Sequence, residues 1–109
     1  MFKIATRRQF THTVEFKVPV DGGFENASFK ARFQVLSSDE AAEFKVATLD
    51  GMKSFLATVV IELEDVTDDA GKPLPYSDAL RDQVIDFQPA RIALYAAYWA
   101  ALTPARTGN

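Results

Sequence analysis

Apolar and polar side chains alternate with a period of two in the first third of the chain. Apolar residues occupy the even positions from Phe10 to Val20, with His12 the one polar member of the row, and mainly polar residues separate them. A second alternating run extends over residues 27–35. The glycines of Asp21-Gly22-Gly23 allow a tight turn between the runs, because glycine adopts positive φ without a steric penalty. The pattern predicts a long antiparallel β-hairpin over residues 1–36.

Residues 37–103 are predicted to be helical, and the first two helices follow from a cap and an apolar stripe. Ser37 and Glu40 have the spacing of a capping box, which predicts a short helix that continues through Phe44. After a break over residues 48–51, apolar residues recur at i, i+3, i+4, i+7, i+8 and i+11 from Met52 to Leu63. This spacing predicts a second helix with one apolar face.

Prolines and a serine set the bounds of the remaining helices. Residues 67–75 form a predicted turn and extended connector, because Gly71 permits a bend and proline disfavours helix in the residue before it. Ser77 is the predicted N-cap of a third helix that ends near Asp86, and Pro89 opens a fourth that ends before Pro104. The predicted fold is a single α+β domain over 1–109, a hairpin followed by about four helices, with a flexible tail at 104–109.

The composition is typical of one soluble globular domain. The chain has 109 residues, of which 48% are hydrophobic and 25% charged, which suffices for one modest core. It has no cysteine and one histidine, which excludes disulfides and leaves most zinc sites without enough ligands. The longest uncharged apolar run, residues 92–102, is shorter than the roughly 20 residues that span a bilayer. No apolar signal segment follows the charged residues 1–10, so we predict a cytoplasmic protein. From the residue counts and the short apolar run, we expect no metal ion, cofactor or membrane partner.

The charges are unevenly distributed, although the net charge is only −3. Residues 37–88 contain twelve acidic and four basic residues, a balance of −8, which would repel nucleic acid phosphates. A calcium loop beginning at Asp65 would need glycine at position 70 and glutamate at 76, where the chain has Ala70 and Tyr76. His12 has no serine or cysteine nucleophile at a known motif spacing. The sequence therefore predicts no nucleic acid partner, and we expect the chain not to be an enzyme.

The fourth helix is apolar around most of its circumference, and Arg91 is the one charged residue in 90–102. Its apolar residues form two rows on different faces: Ile92, Tyr95, Trp99 and Leu102 in one, Leu94, Tyr98 and Ala101 in the other. Such a helix needs burial on more than one side. It is either a central core helix or a helix that presents aromatic anchors to another protein. On the second interpretation, the predicted protein-interaction residues are Arg91, Ile92, Tyr95, Tyr98, Trp99 and Leu102.

Four segments follow one another in an order and spacing found in a known family. They are Met1-Phe2-Lys3-Ile4, Val18-Pro19-Val20-Asp21-Gly22-Gly23 leading to Phe29-Lys30-Ala31-Arg32-Phe33, Asp69-Ala70-Gly71-Lys72-Pro73-Leu74-Pro75-Tyr76-Ser77, and the aromatic, alanine-rich last helix. In this order they resemble the tail assembly chaperones of long-tailed bacteriophages and prophages. Residues 37–64 resemble the family only in general pattern.

The resemblance implies a small α+β protein that is not an enzyme and is absent from the mature virion. Members of this family are thought to coat the long helical tape measure protein in the host cytoplasm, keeping it soluble until tail tube subunits polymerise around it. The expected partners are the tape measure protein, the tail tube protein and further copies of the chain. Many members also occur in a longer, frameshifted form, and this chain would correspond to the short form.

Two other classes of function compete with this one. In the first, the chain is a structural subunit of the phage tail or head–tail connector, and its hairpin extends a neighbour's sheet in a ring. In the second, it is a small-molecule binding domain or an enzyme, which requires a pocket with converging polar groups.

Overall fold

The hairpin predicted from the alternating pattern is present. The computed structural model describes residues 1–104, so the tail predicted at 104–109 lies outside the described residues from position 105 onward. Strands β1 (Gln9–Val20) and β2 (Gly23–Gln34) pair antiparallel along their whole length, from Gln9 opposite Gln34 to Val20 opposite Gly23. Gly22 closes the turn at φ 80°, a conformation that favours glycine. β2 begins at Gly23, earlier than residue 27, because residues 23–26 continue the pairing with β1.

Within residues 1–104, four helices and one further strand follow the hairpin, which confirms the α+β fold. In chain order they are α1 (Ser38–Ala42), α2 (Leu49–Val59), β3 (Val60–Glu64), α3 (Asp78–Asp86) and α4 (Gln88–Leu102). The predicted caps are formed: the Ser37 and Ser77 hydroxyls accept hydrogen bonds from the backbone N–H groups three residues on, at 3.2 and 3.0 Å. The Glu40 carboxylate completes the capping box by accepting from the Ser37 N–H at 2.9 Å.

The prediction of one helix over residues 52–63 is wrong in its second part. The helix ends at Val59, and Val60–Glu64 form β3, which pairs antiparallel with residues 30–33 of β2. Val59, Val60 and Ile61 are consecutive β-branched residues, which favour a strand. A shift in pairing between Arg32 and Phe33 places Val60 and Leu63 both in the core, which is why the helical spacing also fitted them.

The sheet, in the order β1-β2-β3, has one apolar face and one polar face. Helices α2 and α4 contribute the aromatic rings that meet the apolar face: the Tyr98 ring lies 5.7 Å from Phe33 and 5.3 Å from Phe55. α1 ends at Ala42, two residues before the predicted end, and the following Phe44 ring packs 5.6 Å from Phe55. The polar face remains exposed and places opposite charges in register, Lys30 beside Glu64 and Arg32 beside Glu62.

A bidentate ion pair fixes the segment before β1 to the start of α1. The Arg7 guanidinium donates to both carboxylate oxygens of Glu40, at 2.7 and 2.8 Å, and to the Val35 carbonyl at 3.0 Å. The Arg7 hydrogen bonds, followed by the Ser37 N–H, lower the pKa of Glu40 from its ordinary 4.5 to about 2.

Replacing Arg7 by glutamine should raise the pKa of Glu40 toward its ordinary range, because the largest cause of the shift is removed while the Ser37 N–H remains. An NMR titration of the side-chain carboxyls measures this directly. The Asp86 carboxylate, whose own pKa is lowered by Lys53, is the internal control and should not move. Because the folded pKa of Glu40 is depressed, its pair stabilises the fold above about pH 5, and this contribution is lost as the pH falls toward 2. An unchanged Glu40 pKa in the variant would contradict the pairing.

Gly51 in the first turn of α2 should not tolerate alanine. A Cβ at this position would lie 2.0 Å from the Lys45 carbonyl oxygen, so the backbone of the preceding loop must move. Although alanine is the better helix former by about 1 kcal/mol, we expect Gly51→Ala to lower the free energy of unfolding by about 1–3 kcal/mol. Gly23→Ala is the matched control, because a Cβ there meets no atom within 4 Å. Urea unfolding of both variants tests the contrast, and equal stability of the two would refute it.

Candidate functional site

Arg91, one of the predicted interaction residues, forms hydrogen bonds within its own chain. Helices α3 and α4 share Phe87 as their common cap, and Pro89 lies in the first turn of α4. From that turn the Arg91 guanidinium donates to the carbonyl oxygens of Ile85 and Asp86, at 3.1 and 3.0 Å. These carbonyls belong to the last turn of α3, where a positive charge also complements the helix dipole. Arg91 thus fixes the corner between the two helices.

The inner face of α4 is part of the core. Ala90, Leu94, Ala97 and Tyr98 are buried, and Tyr98 is only 1% exposed. Its ring is packed among those of Phe33 and Phe55, and its hydroxyl accepts a hydrogen bond from the Leu36 N–H at 3.2 Å. Tyr98, one of the predicted interaction residues, is therefore a core residue and not part of the exposed surface, because the ring completes the core and its polar atom is satisfied there.

Tyr95 and Leu102 lie between the buried inner face of α4 and its exposed outer face. Both are half-buried and pack against the edge of the core, and the Tyr95 ring lies 5.8 Å from Phe55. The Tyr95 ring packs against the exposed Trp99, and both residues leave part of their own surface accessible.

The outer face of α4 carries an exposed apolar surface. Ile92 is 60% exposed and Trp99 38%, and Ala96 and Ala100 between and beside them are exposed as well. We call these four residues the α4 outer surface. They follow the spacing i, i+4, i+7 and i+8, which aligns side chains along one side of a helix. The Trp99 ring lies edge-on to Tyr98 at 5.2 Å and to Tyr95 at 6.3 Å, so the buried face holds the exposed anchor in place.

A groove adjoins the α4 outer surface where α4 passes the start of α2. It has a volume of about 330 Å³ and is lined by Val46, Ala47, Thr48, Leu49, Met52, Arg91, Ile92 and Tyr95. We call it the α2–α4 groove. Sequence reasoning missed Leu49, which is exposed on its wall. The signal was present, because Leu49 continues the apolar stripe of α2 one turn before Met52.

The described chain offers this apolar surface but little polar chemistry. Across residues 1–104, no three His, Cys, Asp or Glu side chains are grouped closely enough to hold a metal ion. His12 is exposed on β1. Over the same range, every helix is too short or too polar to cross a bilayer.

Comparisons with models of protein families, with curated proteins and with solved structures find no match for this chain. The candidate site is therefore defined by the exposure, spacing and chemistry of its own residues.

The two faces of α4 should respond differently to truncation. Tyr98→Ala should cost about 3–5 kcal/mol of unfolding free energy because it leaves a core cavity, whereas Ile92→Ala should change it by less than about 0.5 kcal/mol. Tyr98→Phe isolates the hydroxyl and should cost about 1 kcal/mol, since the Leu36 N–H loses its acceptor. Thermal and urea unfolding measure all three, and comparable losses for Ile92→Ala and Tyr98→Ala would contradict the assignment of inner and outer faces.

Proposed function

We propose that this chain is a phage tail assembly chaperone that binds and coats the tape measure protein during tail morphogenesis, without catalysis. The observation that carries the proposal is the α4 outer surface, an exposed apolar row with helical spacing on an otherwise packed helix. The order of the sequence segments, which resembles that of the family, supports the proposal. The exposed apolar surface supports it as well, because such a role requires a contact surface.

The α4 outer surface suits a helical partner. Trp99 and Ile92 provide large apolar anchors, and the alanines at positions 96 and 100 let a second helix approach closely. The neighbouring α2–α4 groove offers a depression beside this row for a side chain of the partner. A tape measure protein presents long apolar helical stripes, which are complementary to such a surface.

The size of the surface implies many copies per partner. From Ile92 to Ala100 the helix advances eight residues, or about 12 Å at 1.5 Å per residue. One copy thus covers about 12 Å of a partner helix that lies alongside, and a long helix needs a row of copies. This is the multivalent binding expected of a coating chaperone.

The acidic part of the chain suits a coat that must stay soluble. Residues 37–88 carry the balance of −8, and the acids of the β3 end and following turn are exposed. Like charges on neighbouring copies keep a coated partner from aggregating. In the proposed role the chain acts in the bacterial host cytoplasm, is displaced when tail tube protein polymerises, and is absent from the mature virion.

Ile92→Ser should weaken tape measure binding by at least tenfold while leaving the free energy of unfolding nearly unchanged. The side chain is 60% exposed in the free chain, so its apolar surface is lost from the complex and not from the core. Trp99→Ala should cost about 2 kcal/mol of binding free energy, the magnitude of an interface hot spot. A binding titration of each purified variant against a tape measure protein measures both changes, and size-exclusion chromatography with light scattering of the co-expressed wild type gives the number of copies per partner.

Phe24→Ser is the matched control for these variants. Phe24 is a similarly exposed aromatic residue at the hairpin turn, 68% accessible, on the polar side of the sheet. It should leave tape measure binding unchanged. If Phe24→Ser and Ile92→Ser bind equally well, the α4 outer surface is not the contact, and if wild type forms no complex with many copies per partner, the coating role is wrong.

A second candidate function, a structural subunit of the tail or head–tail connector, is favoured by the edge of the sheet. In the described sheet β1 pairs with β2 on one side only, so its other side can pair with a strand of a neighbouring subunit. Against this function, the same strand carries Lys17 and Pro19, and natural edge strands use lysine and proline to discourage such pairing. Detection of the chain in purified phage particles would select the structural role over the chaperone.

A further inference from the structure

Residues 1–6 form a basic arm with exposed apolar side chains. Phe2 is 78% and Ile4 90% exposed, and neither belongs to the core. The Arg8 guanidinium lies 5.3 Å from the centre of the Phe2 ring and donates to the Lys3 carbonyl, so the arm folds back against the residue that immediately precedes β1. An apolar segment held in this way exposes surface that an intermolecular contact would bury.

The base of the arm is fixed even though its apolar side chains are exposed. Arg7 is held by Glu40 and by the Val35 carbonyl, at the end of the sheet where β1 begins and β2 ends. A segment anchored at one end loses less conformational entropy on binding than a free one.

A second apolar groove lies between the hairpin and α3. It has a volume of about 370 Å³, and its lining includes Phe16, Phe29, Leu74, Val84 and Phe87 together with the acidic Asp65. We call it the hairpin–α3 groove. Leu74 and Phe87 leave apolar surface exposed at its rim. Asp65 and the nearby exposed Asp68 and Asp69 give this side of the molecule a negative charge.

The charges that line the two grooves favour the hairpin–α3 groove over the α2–α4 groove as the receptor for the arm. The arm carries the basic residue Lys3, so its charge is complementary to that of a groove with an aspartate on its wall. The one charged residue that lines the α2–α4 groove is Arg91, which has the same sign as the arm. Apolar side chains with a basic residue between them therefore match the hairpin–α3 groove.

The arm cannot reach the hairpin–α3 groove of its own chain. The near end of that groove is at Phe29, opposite Val14, which lies seven residues or about 23 Å along β1 from Arg7. Along a fully extended backbone from Arg7, Phe2 reaches at most about 18 Å and Ile4 at most about 11 Å, so the two side chains cannot both lie in that groove. An arm whose two apolar side chains fill this groove would therefore come from another copy.

We propose that the arm of one copy, residues 1–6, docks in the hairpin–α3 groove of a second copy, with Phe2 and Ile4 in the groove and Lys3 beside Asp65. Donor and receptor are different surfaces, so the contact is head-to-tail and generates an open chain or a ring of copies. Neither the arm nor the groove includes a residue of the α4 outer surface. The inference concerns self-association and does not depend on the identity of the helical partner.

Light scattering of the purified full chain over a concentration series tests the proposal. Wild type should show a mass above one chain that rises with concentration, and added salt should weaken the association because charges contribute to it. The double variant Phe2→Ser/Ile4→Ser should associate at least tenfold more weakly with an unchanged melting temperature. Phe24→Ser, an equivalent loss on the opposite face of the hairpin, should associate like wild type.

Two variants probe the receptor. Leu74→Ser removes apolar surface from the rim, and Gln83→Lys places a positive charge in the groove from an exposed position on α3. Both should associate more weakly than wild type, and Gln83→Lys keeps the test valid if Leu74→Ser fails to fold. A wild type that stays monomeric throughout the series, or an arm variant that associates like wild type, would overturn the proposal.

Mixing an arm variant with a groove variant distinguishes this contact from an arm–arm contact. The groove variant Gln83→Lys retains an intact arm, and the double arm variant retains an intact groove. A head-to-tail contact predicts that the mixture forms one dimer of the two variants and nothing longer, because each chain supplies only one working surface. If each variant stays monomeric in the mixture, the arm does not dock in the groove.

Discussion

The structure depends on how one apolar face of a small sheet is covered. A three-stranded sheet of this size is stable only if something packs against its apolar face, and the helices after the hairpin provide that cover. Tyr98 is the centre of the arrangement, because its ring meets residues of both β2 and α2 and its hydroxyl accepts from the backbone where β2 has ended. This contact fixes the rotation of α4 about its own axis. Once Tyr98 faces inward, Ile92 and Trp99 must face outward.

The hairpin and the helix starts could be predicted from the sequence because each is determined by residues that are close together in the chain. The hairpin follows from alternation and a glycine turn, and the starts of α1 and α3 follow from Ser37 and Ser77 as caps. The segment after Val59 was predicted wrongly because its apolar spacing fits both a helix and a bulged strand. The alternation of Glu62, Leu63 and Glu64 favours the strand, but the pairing partner that decides the matter is some thirty residues earlier in the chain.

The candidate site was predictable only in part for a related reason. The sequence shows that α4 is apolar on two faces, but it does not show which face the sheet covers. Two consecutive aromatic residues therefore differ in burial, because Tyr98 lies in the core and Trp99 lies at the surface. Arg91 looks like an interface residue in the sequence, and only its distance to the α3 carbonyls reveals its role at the corner. Leu49 comes close to α4 through tertiary packing, which the α2 pattern alone cannot reveal.

The two proposed contacts use separate parts of the exposed apolar surface. The α4 outer surface is a row on a rigid helix, suited to the side of another helix, whereas the basic arm and the hairpin–α3 groove are complementary to each other in polarity and charge. Because the two lie on different elements, copies could join to one another and still each present α4 to a common partner. This separation would allow the coat proposed above to follow a long helical protein.

The fluorescence of Trp99, the one tryptophan in the chain, tests the central claim most directly. The measurement adds a tryptophan-free segment of the tape measure protein to the purified chain and follows emission wavelength and acrylamide quenching. If the α4 outer surface binds the partner, the emission shifts to the blue and quenching falls, because the partner covers the indole ring. Unchanged emission and quenching, in a complex that light scattering shows to have formed, would contradict the account.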